Sequence, residues 1–325
     1  MFGASSRDWL LAAAMCLSLA GGFARSAAAY PDRPVHLYVP YPAGGPNDVI
    51  ARLIGRKLEE RLGQAVIVEN RPGGSGNTAV VTTARSVPDG YTLILHAMTY
   101  AVNPWLFAKP GYSLDQLVPV SIVTKGPLVL VVHASLGVKS VQELIALAKS
   151  RPGAINFGSG GVGSSPHLAG ELFTQMAKVD MQHIPYKGTN DLIADLLTGR
   201  VPVVFLSPLV AKQQVEDGKL LALGITSDKR SPGWPGTPTI AEAGLPGYAM
   251  EAWYAVLAPK GTPKDVVDKL SAAIAEAVNS ADVRDRLESL GNVPDGSTAA
   301  EAAVFIDEES KRWHEIISAA GIYVE

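Results

Sequence analysis

Three stretches of this chain place glycine where chemistry would use the backbone more than side chains. "YPAGGPND" covers residues 41–48, "FGSGGVGSSPHLAGE" covers 157–171 and "PYKGTND" covers 185–191. Each follows an apolar run and leads into a helix-like pattern. Glycines permit the tight turn, and Pro46 suits a first helical turn. Free N–H groups at a helix start attract anions, helped by the helix dipole. The plain alternative is a strand-to-helix turn in which Asn47, Asp48, Thr189 or Asn190 merely caps the helix.

Gly158, Gly160 and Gly163 also satisfy the G-x-G-x-x-G dinucleotide fingerprint. The acid at the required distance, Asp180, precedes the next strand where a ribose-binding acid should follow it. No cofactor is therefore expected. Ser159, Ser164 and Ser165 instead add hydroxyls to an amide-rich pocket, which suits a carboxylate. Catalytic patterns are missing: no serine sits in G-x-S-x-G and there is no H-E-x-x-H. His167 and Glu171 stand at i, i+4, a spacing able to hold a metal, but no third ligand accompanies them in the sequence, so no metal is expected. His96 closes an apolar run and suits either a cleft wall or a core polar site. His36, His133, His183 and His314 form no pattern.

The elements that must position these loops alternate. "VHLYVPY", "QAVIVEN" and "YTLILHA" read as strands, with helices over "PNDVIARLIGRKLEERLG" and near Thr78 to Ser86. Further apolar runs ("VSIV", "LVLVVH", "INFG", "MQHIPY", "VPVVFLS", "LLALGIT") intersperse with four helical patterns from Ser140 to Gly218. Such alternation predicts an α/β fold with parallel sheets covered on both faces. One unit spans 30–124 and a second 125–224. The chain then returns over 225–325 to add "WYAVLAP" and the last helices to the first. The turn-rich stretch 231–247 is long for a loop and reads as an excursion near the face between the units. Parallel strands bind ligands at their carboxyl ends, so Ser207 should face the same cleft as the glycine loops.

Residues 1–29 read as a secretory signal: Arg7, the apolar "WLLAAAMCLSLAGG", then the small residues of "SAAAY". The chain's one cysteine, Cys16, lies in this segment behind "AAM", a poor lipidation box. The remainder must be held by its core without disulfides. The net charge of −3 for the full chain gives no basic surface for nucleic acid or anionic membrane.

The ordered motifs resemble one family. "YPDRPVHLYVPYPAGGPNDVIARLIGRKLEERLGQAVIVENRPGGSGN", "VPDGYTLIL", "INFGSGGVGSSPHLAGELF", "IPYKGTNDLIADLLTGRV" and "WYAVLAPKGTP" are similar to the Bug solute-binding proteins, the extracytoplasmic receptors of tripartite tricarboxylate transporters. The resemblance implies a type II periplasmic-binding-protein fold, two α/β domains closing over a cleft. It also implies that loop amides and ordered water hold one ligand carboxylate. Carried over by position, the ligand residues are Tyr41, Ala43, Gly44, Gly45, Asn47 and Asp48; Ser159, Gly160, Val162, Gly163, Ser164 and His167; and Tyr186, Lys187, Gly188 and Thr189. Ser207 joins them, and His96, Thr99 and Trp105 are candidates for the distal pocket. Related receptors often have Phe at the place of Tyr41 and Ser at that of Asn47, departures that bear on the rest of the ligand.

The expected function is capture of a small organic acid in the periplasm by a monomer, without catalysis, and delivery to the transporter's membrane components. A secreted hydrolase-like enzyme and an adaptor reporting to a sensor protein are the alternatives. Cleavage after Ala29 predicts that amino-terminal sequencing of the secreted protein begins at Tyr30. A membrane-bound form beginning at Cys16 would overturn that.

Overall fold

The computed structural model describes residues 30–186 and 189–323. The signal segment with Cys16, and Lys187 and Gly188, lie outside the described residues, as does the side chain of Thr189. The strands are β1 (Val35–Val39), β2 (Val66–Asn70), β3 (Thr92–Ala97), β4 (Leu117–Pro127), β5 (Val129–His133), β6 (Ile155–Ser159), β7 (Met181–Pro185), β8 (Val203–Leu206), β9 (Leu220–Ile225), β10 (Glu251–Pro259) and the short β11 (Val293–Pro294). The helices are α1 (Pro46–Leu62), α2 (Asn77–Ala84), α3 (Thr99–Leu106), α4 (Val141–Ser150), α5 (Ser165–Ala177), α6 (Thr189–Leu197), α7 (Pro208–Glu216), α8 (Lys264–Asn279), α9 (Ala281–Ser289) and α10 (Ala299–Ala320).

Two sheets result. The first has the order β11-β4-β10-β3-β1-β2, the second β7-β6-β8-β5-β9. Neither is purely parallel, which corrects the expectation from the apolar runs. β10 runs antiparallel to β3 and β4, and β5 antiparallel to β8 and β9. The reason is topological. β5 enters the second sheet directly from β4, and β10 re-enters the first from the far side, so neither follows a helical crossover, the connection that makes neighbours parallel. Both are apolar on both faces, so hydropathy alone reads them like the parallel strands.

The chain passes between the sheets at Leu128 and again between Ile225 and Glu251. Thr226, fully buried, ties both passages together. Its amide donates to Leu128 O (2.9 Å), its Oγ1 accepts from Leu128 N (2.7 Å), and its carbonyl accepts from Met250 N (2.7 Å). The long turn-rich stretch does not hang free. Ile225 N donates to Pro238 O and Ile240 N to Ile225 O, each at 2.9 Å, so it extends the β9 edge of the second sheet. Ile240, Leu245 and Tyr248 bury their side chains there.

Residues Arg33–Glu325 form one compact unit. One contiguous apolar core runs through it, joining Tyr38, Ile94 and Trp253 of the first sheet to Phe157 and Phe205 of the second and to Phe173 of α5. Trp313 of α10 belongs to the same core. Val129, Val131, Val204 and Leu192 form a further cluster on the other face of the second sheet. No helix among the described residues is long and apolar enough to cross a membrane.

Glu251, at the start of β10, is half-buried. Burial raises its carboxyl pKa, and Asp228 raises it further, against the pull of Lys125. A carboxyl that holds its proton more tightly when folded is stabilising in its protonated form. That stability is lost as pH rises through the folded value. Glu251→Gln should therefore raise the unfolding midpoint at pH 7, by a shift on the order of 1 °C. The gap should close as the pH falls to the ordinary glutamate range. Calorimetry at both pH values checks this, and a lower midpoint for the variant at pH 7 refutes it.

Candidate functional site

The glycine loops stand at the carboxyl ends of β1, β6 and β7. In the first loop Gly44 adopts φ +84°, a left-handed turn that suits glycine. Its amide donates to Asp48 Oδ2 at 2.9 Å. Asp48 Oδ1 accepts from Asn70 Nδ2 and pairs with Arg52, both at 2.9 Å. Although burial opposes it, these hydrogen bonds from Arg52, Gly44 and Asn70 hold the Asp48 carboxyl below its usual range. Asp48 is thus engaged in shaping the loop, and an anion would meet the neighbouring amides instead. Gly45 begins α1 with no side-chain cap, and Asn47 behind it is buried with Oδ1 unpartnered. Ala43 is exposed on the rim.

Tyr41 Oη lies 2.8 Å from Thr99 Oγ1, which lies 3.3 Å from His96 Nδ1. His96 is fully buried, and burial lowers its pKa to about 4 against the carbonyls of Ala97 and Gly76. The ring is neutral, and with Nδ1 3.0 Å from Ala97 O that nitrogen carries the proton. His96 and Thr99 therefore sit behind Tyr41 as its support. Trp105, expected in the distal pocket, is committed elsewhere: Nε1 donates to Ser310 Oγ at 2.7 Å and the ring stacks on His314 at 3.9 Å.

The second loop resolves its three glycines into three separate reasons. A Cβ on Gly158 would lie 2.3 Å from Leu192 Cδ1, so this glycine serves packing. Gly163 has φ +81°, and its Cβ would fall 3.1 Å from Leu106 and 3.3 Å from Asn103 Oδ1 of α3. Gly160 would meet nothing within 4 Å. Ser159 is buried, with Oγ 2.7 Å from His183 Nε2 and bonded to both N and O of Gly161. Ser164 Oγ donates to Gly161 O at 2.6 Å. His167, also buried, accepts Gly163 N–H on Nδ1 at 3.0 Å. The amides of Gly161 and Gly163 are engaged, whereas those of Gly160 and Val162 have no partner within the chain among the described residues. Tyr186 turns away, its hydroxyl donating to Asp195 at 2.7 Å; burial first, then Asp195, pushes its pKa up to about 12. Ser207 opens α7 at the end of β8, one strand from the second loop, again with no side-chain cap.

A third metal ligand absent from the sequence pattern does come into place: ligand atoms of His167, Glu171 and His183 lie within 4.8 Å of one another. Proton placement argues against an ion. Nδ1 of His167 accepts a backbone N–H, so Nε2 carries the proton and points it at Glu171 Oε1, 3.3 Å away. The set is satisfied by hydrogen bonds alone.

Sequence reasoning missed three participants. The stretch 71–77 enters the sequence reading only within the family motif, yet Gly73, Gly74, Ser75 and Gly76 all take positive φ. A Cβ on Gly76 would fall 2.8 Å from His96 Nε2. Asn103, fully buried, donates Nδ2 to Ser75 O (3.1 Å) and to Asn77 Oδ1 (2.6 Å) while Oδ1, near Gly163, is unpartnered. Tyr254 is half-buried in the middle of a mostly buried β10, level with Ala97. Burial first, and then Tyr41, raises its hydroxyl pKa. The cluster of glycines at 73–76 was the signal available for the first. Asn103 and Tyr254 gave none, because their places depend on α3 and on the return of β10.

Comparison with known proteins follows the same geometry. The description "Tripartite tricarboxylate transporter family receptor" matches residues 50–322. Protein BugT of Bordetella pertussis is 38% identical over 91% of this chain and 92% of its own length. A protein of the tcbD-tcbE intergenic region of a Pseudomonas species is 36% identical over 96% and 93%. Among solved structures, R. palustris Rpa4515 with adipate shares 36% identity and a TM-score of 0.83, over 90% of this chain and 99% of that one. MatC from Rhodopseudomonas palustris with bound malate shares 33% and 0.79, over 89% and 100%. The periplasmic binding protein BugD shares 32% and 0.80, over 91% and 100%. The two-sheet α/β architecture is that of the periplasmic binding proteins, and this chain belongs to the Bug solute-binding proteins, the receptor family of the tripartite tricarboxylate transporters.

Proposed function

We propose that this protein is a periplasmic receptor that holds one carboxylate of a small organic acid on loop amides and delivers the acid to the membrane components of a tripartite tricarboxylate transporter. The observation that carries the reading is a set of helix starts at strand ends, those of α1, α5 and α7, each without a side-chain cap. The Gly160 and Val162 amides lie unpartnered among them. α4 and α10 are capped by Ser140 and Thr298, but α2, α3, α8 and α9 also lack a side-chain cap, so it is the place at a strand end beside unpartnered amides that sets α1, α5 and α7 apart. The adipate and malate held by similar chains are consistent with this chemistry. Three or four charge-assisted bonds of about 1.5–3 kcal/mol each suffice in gross terms for a micromolar complex near about −8 kcal/mol. Ordering and closure take up the excess.

One observation favours an enzyme: Ser159 and His183 lie 2.7 Å apart, the reach of a nucleophile and its base. It fails on access. Ser159 is fully buried and its hydroxyl bonds the loop it belongs to, so no substrate carbonyl can approach.

Because Gly160 has space for a side chain within the fold, Gly160→Val should leave the unfolding midpoint near wild type yet abolish binding by covering the amides. Lys187→Ala, outside the described residues, should weaken binding by less than about tenfold. Thermal shift and calorimetry with adipate and malate, together with extraction and mass spectrometry of any acid retained on purification, decide the matter. Loss of binding in Lys187→Ala with retention in Gly160→Val would refute the amide cradle. An acid recovered chemically altered would favour the enzyme.

Closure is part of the same reading, with the passages at Leu128 and around Thr226 as the hinge. A ligand that touches loops of both sheets favours the closed form by its extra contacts. Small-angle scattering should give a smaller radius of gyration with a bound acid than without. An unchanged profile under saturating acid would leave a preformed pocket as the better account.

A further inference from the structure

The inference rests on the carboxylate-receptor reading and concerns how its second loop is held. The unpartnered amides of Gly160 and Val162 alternate with amides that are engaged by side chains from behind the loop. His167 Nδ1 receives Gly163 N–H at 3.0 Å. Ser159 Oγ receives Gly161 N–H at 3.1 Å and is itself 2.7 Å from His183 Nε2. The two imidazoles lie against one another, 4.0 Å between centroids and tilted by 34°, one from α5 and one from β7.

We propose that His167 and His183 are positioning residues which fix the second loop's peptide planes, His167 by accepting the Gly163 N–H on Nδ1, so that loss of that acceptor releases the loop and weakens ligand binding.

An imidazole that accepts a hydrogen bond on Nδ1 carries its proton on Nε2, so the Gly163 contact depends on Nδ1 being an acceptor. The groups facing the rings are few. Glu171 faces His167 Nε2 at 3.3 Å and accepts its proton. The His183 ring lies against His167 and stacks on Phe157 at 5.0 Å. Asn103 is the α3 residue near Gly163. Burial, and then the neighbouring His167, pulls the His183 pKa down to about 3, so His183 is neutral.

Side-chain mimicry provides the test. The Asn carbonyl reaches the place of Nδ1, so His167→Asn should keep the Gly163 contact. His167→Ala removes it. Amide hydrogen exchange of residues 159–164, followed by NMR with no ligand added, should show Gly163 protected in wild type. Protection should be lost in His167→Ala and kept in His167→Asn. Affinity for adipate and malate should follow, falling about tenfold in His167→Ala and staying near the wild-type value in His167→Asn. Equal exchange in wild type and His167→Ala would overturn the proposal, as would a His167→Asn variant as unprotected as the alanine one. Because exchange is read without ligand, the outcomes separate: if neither acid binds the wild type, the carboxylate reading falls while the exchange data still decide the role of His167.

Discussion

A backbone amide can hold an anion only if something other than the anion fixes the peptide plane that carries it, and under the proposed function the loops of this molecule meet that requirement. A glycine-rich loop left to itself samples many orientations, and ordering it on binding would consume the binding energy. Each loop is therefore tied from behind. Asp48, itself held by Asn70 and Arg52, gathers Gly44. Asn103 gathers Ser75 and Asn77. Ser159, His167 and His183 gather Gly161 and Gly163. The side chains that look most like ligands for a bound acid are mostly those that shape the loops.

The same division of labour governs the electrostatics. The buried polar side chains closest to the loops are kept neutral or fully paired. Burial makes His96 and His183 poor bases. Asp48 is ionised but surrounded by donors. The loops thus present oriented N–H groups, and Arg52 beside the first loop is paired with Asp48; on the proposed reading an anion would meet dipoles that are already aligned.

Between the two sets of loops lies α3. Tyr41 of the first loop reaches its start at Thr99, and Gly163 of the second lies against Asn103 and Leu106 farther along it. Thr226 joins the two chain passages, so the sheets share both a common wall and a common tie at their crossings. A buried donor without a partner costs about 1–3 kcal/mol, which is why a hydroxyl at position 226 matters to the Leu128 amide.

The sequence by itself determined the local events. Alternating apolar runs and helical spacing yield the strand and helix sequence, and glycine-rich strand ends mark the first two loops, because both signals depend on neighbours in the chain. The ordered motifs identify the family for the same reason. Tertiary structure decided the rest. The antiparallel course of β5 and β10 follows from where the chain crosses, which hydropathy does not record. His183 stands 16 residues beyond His167 and joins it only because β7 pairs beside β6. Trp105 turns to α10, more than 200 residues later in the chain, rather than to the cleft. Asn103 and Tyr254 acquire their places from packing between distant elements. Spacing along a chain fixes which groups share a turn or a face; which loop a buried histidine or asparagine supports is set by sheet order, and that is decided only when the whole core is packed.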